Sequence, residues 1–120
     1  MVDHFEIKVM NFKECLNFYS DVLSPLQINV KWSDANAAGF GRTSEKNVRF
    51  LIEKSDKVQN CHIAFSAPDK DAVDSFHSRG IARGCKSNGA AGFRTHYAPN
   101  YYAAFLFDPD GNNIEAVVYI

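Results

Sequence analysis

The chain contains no hydrophobic run approaching the roughly 20 residues of a membrane-spanning helix, and its start, Met1-Val2-Asp3-His4, has neither the basic region nor the apolar stretch of a secretory leader. A cytoplasmic protein without a membrane partner is expected. Cysteine is scarce: Cys15, Cys61 and Cys85 form no CxxC pair and are odd in number, which speaks against a disulfide framework or a cysteine-rich zinc knuckle and fits a reducing compartment. Charge of one sign is also missing. Thirteen Lys and Arg against fourteen Asp and Glu leave a net charge of −1 with the basic residues scattered, so nucleic acid is not an expected partner. Four prolines and seven glycines exclude collagen-like sequence. What remains, 120 residues at 46% hydrophobic and 22% charged, suffices for one globular domain with a core.

Two similar halves run through that length. Phe5, Ile7 and Val9 alternate with His4, Glu6 and Lys8, the period-two pattern of a half-buried strand with His4 on its polar face. Asn11 and Glu14 have capping-box spacing, and Phe12, Cys15, Leu16, Tyr19 and Leu23 form a helical stripe that ends at Ser24-Pro25. Strands are expected over 26–32, around Phe40 and over 47–53. The pattern then restarts. Ile63 and Phe65 alternate with His62, Ala64 and Ser66; a helix beginning at Pro68-Asp69 carries Val73, Phe76 and Ile81. Strands near 86–94, over 101–107 and over 113–120 follow, and Asp108-Pro109-Asp110-Gly111 has the residues of a tight hairpin turn. The expectation is an α+β fold of two tandem β-α-β-β-β modules, about 1–57 and 58–120, with His4 and His62 at equivalent places and their strands brought together by pseudo-symmetry.

In the last strand Glu115 alternates with Ile114 and Ala116, so it leaves the aliphatic face and can share a cavity with the two histidines. Two imidazoles and one carboxylate make three ligands with positions left open, suited to divalent Fe, Mn, Ni or Zn that must also bind substrate. The opposite reading of such histidines, as satisfied surface residues, rests on the same spacing.

The opening Asp3-His4 followed by a helix with Phe18-Tyr19, the second opening His62-Ile63-Ala64-Phe65, and above all the closing Asp108-Pro109-Asp110-Gly111-Asn112-Asn113-Ile114-Glu115 resemble the vicinal oxygen chelate superfamily. That superfamily includes glyoxalase I, extradiol dioxygenases, fosfomycin-resistance thiol transferases and bleomycin-resistance proteins. The resemblance implies paired modules in a half-open mixed β-barrel, with metal ligands at His4, His62 and Glu115, and a homodimer whose metal sites lie between paired modules. Glyoxalase I enzymes carry a fourth ligand on the last strand of the first module. Alignment puts Arg49 or Phe50 there, and neither ligates a cation, which argues against a true glyoxalase I. Extradiol enzymes carry a catalytic tyrosine where this chain has Phe105.

The segment 92–102 is dense in groups able to touch a small-molecule substrate. Arg94 suits a carboxylate or phosphonate, His96 or Tyr102 suits general acid or base work, and Tyr101 lies alongside. The bland alternative makes the tyrosines sheet-packing aromatics and His96 an exposed loop residue. His77 reads as a solvated helix residue, Cys61 as a buried apolar one, and Glu53 as an open candidate to complete a metal shell. Two functions remain: a metal-dependent glyoxalase-like enzyme (lyase or isomerase, thiol transferase or dioxygenase), or a non-catalytic binding protein of bleomycin-resistance type, for which Arg49 would meet an anionic ligand.

Overall fold

The computed structural model describes residues 2–57 and 59–120. Val58, where the second module is expected to begin, lies outside the described residues. The elements run β1 (Phe5–Val9), α1 (Phe12–Val22), a short 3-10 turn (Ser24–Leu26), β2 (Ile28–Ser33), β3 (Ala37–Arg42) and β4 (Phe50–Lys54). The order then repeats as β5 (His62–Ser66), α2 (Lys70–Ala82), β6 (Ser87–Phe93), β7 (Tyr101–Phe107) and β8 (Asn113–Tyr119). This is the expected α+β pair of β-α-β-β-β modules. Each module makes one mixed sheet, ordered β1-β4-β3-β2 and β5-β8-β7-β6. In both, the first strand runs parallel to the last and forms the sheet's edge.

The two sheets share no strand pairing and do not close. Instead their inner faces and both helices meet in one core. Phe5 and Phe50 from the first sheet stack at 5.0 Å, and Phe65 from the second meets Phe50 edge-on at 5.3 Å. Tyr19 and Phe18 of α1 and Phe76 of α2 are buried in the same cluster, and α1 packs on α2. Burying these aromatics supplies most of the drive to join the modules. Because both inner faces are spent on this shared core, the opposite faces of the two sheets point away from each other. The pseudo-symmetric strands β1 and β5 therefore approach through Phe5 and Phe65, whose ring centroids lie 6.2 Å apart, without hydrogen bonding to one another.

The hairpin turn before β8 ties the modules together. Gly111 has φ +88°, a conformation glycine adopts at little cost, and its N–H donates to the Asp108 carbonyl at 2.9 Å. Buried Asp108 accepts from the Tyr19 hydroxyl of α1 at 2.6 Å and from the Asn112 amide side chain at 2.8 Å. Asn112 in turn accepts from the Cys61 backbone N–H at 2.9 Å. The start of α1 differs from expectation: Asn11 makes no side-chain cap, and its amide donates to Asp110 at 2.8 Å. Asp110 also accepts from the backbone N–H of Asn11 at 3.1 Å, so a carboxylate from the second module takes up the donors at the entrance to the first module's helix. Among the described residues no helix is long and apolar enough to cross a membrane.

Candidate functional site

Strand alternation leaves Glu115, Val117, Phe105, Ala103 and Tyr101 on the open face of the second sheet, beside His62 and Ala64 at its edge. Glu115 is 2% exposed, which makes it a nearly fully desolvated carboxylate whose oxygens need partners. They have them. The imidazole Nε2 of His62 lies 2.9 Å from one oxygen, and the Tyr101 hydroxyl donates to the other. Burial, followed by the hydrogen bond to Glu115, pushes the Tyr101 phenol well above its ordinary range, so it holds its proton as a donor. The Phe105 ring lies 6.2 Å from the His62 ring, and the Arg94 guanidinium lies 5.4 Å from the Phe105 centroid. His62, Glu115, Tyr101, Phe105 and Arg94 thus form one group.

Tyr102 does not belong to it. The alternation that gives Tyr101 to Glu115 turns Tyr102 to the helix side, where its hydroxyl donates to Asp74 of α2 at 2.6 Å, and the expected proton-transfer role beside Glu115 loses its geometry. His96 lies on the exposed loop between β6 and β7, its ring tilted against that of Tyr97 at 4.2 Å, and Tyr97 in turn packs on Tyr101 at 5.1 Å. His77 is half-buried and bonds Ser87 at 2.8 Å, joining α2 to β6.

The first sheet places His4 on its open face, exposed, with Nδ1 2.7 Å from Asp3. Within this chain His4 is not brought together with His62 and Glu115. Among the described residues no three His, Cys, Asp or Glu side chains converge, because the sheets are joined by their inner faces and the histidines lie on outer ones. Arg49 stands beside His4, its charge met by Asp3 at 3.1 Å and Glu45 at 3.2 Å. Glu53 pairs with Lys8 at 2.5 Å.

Register identifies the place corresponding to Glu115 in the first module. Ala64, two residues beyond His62, pairs with Glu115; Glu6, two beyond His4, pairs with Leu51. Leu51, rather than Arg49 or Phe50, therefore occupies the position, and Phe50 is in the core. Leu51 continues across the sheet to Gly39 and Trp32. A Cβ on Gly39 would sit 2.6 Å from the Trp32 indole nitrogen, so glycine here lets the indole lie flat on the sheet. This side is apolar where a fourth ligand would be.

The donors of the second sheet fit a divalent transition-metal ion in kind, an imidazole nitrogen and a carboxylate in contact, but supply only part of a set. The fold and this half-set define a protein of the paired-module, open-faced class. The chain belongs to the Glyoxalase/Bleomycin resistance protein/Dioxygenase superfamily, whose family model matches residues 1–116. Members of that superfamily include glyoxalases, dioxygenases and fosfomycin-resistance enzymes. Among solved structures, the chain is similar to a glyoxalase/bleomycin resistance protein from Albidiferax ferrireducens T118, at 26% identity over 98% of each chain with a TM-score of 0.82. A lactoylglutathione lyase from Agrobacterium tumefaciens shares the fold at 17% identity, over 98% of this chain and 92% of its own, with a TM-score of 0.71. The fosfomycin resistance protein FosX from Mesorhizobium loti does so at 15% identity, over 100% and 92%, also with a TM-score of 0.71. No curated protein matches the chain.

Proposed function

We propose that the protein is a divalent-metal-dependent enzyme of this superfamily, acting on a small substrate, with each metal site built between two copies of the chain. The carrying observation is the contact of His62 with buried Glu115 on one open face while His4 stands at the equivalent place on the other. Facing the first sheet of one copy with the second sheet of another joins His4 to His62 and Glu115. A twofold axis then makes two such sites and covers the free edges of β1 and β5. Fe, Mn, Ni or Zn suits the three donors. A bound ion would supply Lewis-acid polarisation of the substrate's oxygens. Tyr101 holds one oxygen of Glu115, leaving the other toward His62, and Phe105 and Val117 keep the carboxylate dry. His96, joined to the site through the ring contacts of Tyr97 with Tyr101, is our candidate for moving protons once a partner closes the site. Leu51 and Trp32 from the partner's first sheet would form the apolar wall opposite.

Mixing tests this arrangement. His4→Ala and Glu115→Ala homodimers should each lose tight metal binding. Subunit exchange between them should restore one intact site per heterodimer, read by mass spectrometry of bound metal. Loss in both variants without recovery after verified exchange contradicts a site shared between copies. The second reading, a metal-free binding module, draws on one observation: His62 and Tyr101 already satisfy both oxygens of Glu115. Purified protein that holds no metal and takes up none of the four ions would favour it.

A further inference from the structure

Arg94 is the arginine without a counter-ion. Arg42 and Arg49 meet Glu45, Arg79 and Arg83 meet Asp21, but among the described residues no carboxylate lies within ion-pair distance of Arg94. Its terminal nitrogens donate to the carbonyls of Gly92 at 2.9 Å and Ala90 at 2.7 Å, which fixes the plane of the guanidinium and leaves the remaining N–H groups unspent. The strand is shaped for this. β6 loses its register with β7 around Gly89 and Gly92, and a Cβ there would come within 3.1 Å and 3.3 Å of the two terminal nitrogens. Gly89 also has φ +149°, which few other residues adopt. A half-buried cation, held by neutral acceptors in a glycine cradle, retains its full charge for something else.

That charge shares a face with the candidate site. Phe105 neighbours both groups, its ring centroid 5.4 Å from the Arg94 guanidinium and 6.2 Å from the His62 ring. We infer that the small molecule bound here is an acid: its carboxylate pairs with Arg94, and a spacer of about ring size, lying along Phe105, carries its other polar end to His62 and Glu115. This deepens the proposed metal-site reading and rests on it for what the far end binds. The carboxylate subsite itself belongs to the second sheet alone. A planar carboxylate matches the fork of a guanidinium, and a charge-assisted pair in a partly desolvated place discriminates strongly against a neutral isostere.

The test uses two near-isosteric probes, the anionic 3,4-dihydroxybenzoate and the neutral 3,4-dihydroxybenzamide, titrated calorimetrically into manganese-loaded and chelator-treated full-length protein. The acid should bind about tenfold or more tightly than the amide. Arg94→Met should erase that preference by lowering the acid's affinity to about that of the amide, and Arg94→Lys, which keeps charge but not the fork, should retain part of it. The lysine variant also decides the matter if the methionine one fails to fold. Equal affinity for the two probes, or a preference that survives loss of the guanidinium, overturns the inference. Failure of the metal reading looks different: manganese then makes no difference to either probe, while the preference for the acid and its dependence on Arg94 persist in chelator-treated protein.

Discussion

Tyr101 and Tyr102 are adjacent in the chain and serve different carboxylates on opposite faces of one sheet, Tyr101 donating to Glu115 and Tyr102 to Asp74. Substitution of each by phenylalanine should therefore give different results. Tyr101→Phe should weaken metal affinity about tenfold by freeing an oxygen of Glu115, and should also cost stability because that buried oxygen loses its donor. Tyr102→Phe should cost about 1 kcal/mol of stability in denaturant unfolding and leave metal affinity unchanged. Equal effects of both variants on metal competition assays would contradict the assignment of faces.

Leu51 stands where the first module would contribute a carboxylate. Leu51→Glu should tighten zinc or nickel binding by roughly tenfold in a chelator competition, because an anionic oxygen joins the three donors as a fourth. Unchanged or weaker affinity in a folded dimer would show that the two open faces do not meet in the register proposed.

Asp110→Ala removes the acceptor for the backbone N–H groups of Met10 and Asn11 at the entrance of α1. A loss of about 1–2 kcal/mol in unfolding free energy is expected, with metal affinity retained. A variant as stable as the parent would mean that water replaces the carboxylate without penalty.

His77 provides a pH dependence separate from the metal. Burial first, and the charge of Arg94 second, hold its imidazole below the usual value. As pH falls the unfolded chain takes up this proton before the folded one does. The contribution of neutral His77 is thus complete above about pH 6.5 and is lost as pH drops below it. His77→Gln should flatten the melting temperature between about pH 7 and pH 5, measured by calorimetry. An unaltered slope would place the acid sensitivity elsewhere.

Much of this was legible in the residues. The alternation of Phe5, Ile7 and Val9 against His4 and Lys8 gave the strand and its faces, and the stripe Phe12, Cys15, Tyr19 gave α1, because both patterns are local. The turn Asp108-Pro109-Asp110-Gly111 announced its hairpin through residues with fixed backbone preferences. Register was not legible. Which residue of β4 stands opposite Glu6 depends on the path of the 43–49 segment between β3 and β4, so the sequence alone points to Arg49 or Phe50 rather than Leu51. The same gap hid the face of Tyr102: alternation separates it from Tyr101, but only the pairing of Phe105 with Glu115 says which tyrosine shares the carboxylate's side. The separation of His4 from His62 was least accessible, since it follows from a choice between inner and outer faces that two amphipathic sheets leave open.

The turn that closes the second module is also the stopper for the first module's helix. A duplicated unit starts with two self-sufficient halves, yet here Asp110 serves Asn11 and Asp108 serves Tyr19, each on the other half. Neither repeat can now be excised without leaving the other's polar groups bare, and the pair has become a single indivisible brace. Whatever docks on one outer face therefore meets a surface whose angle to the other is set in advance.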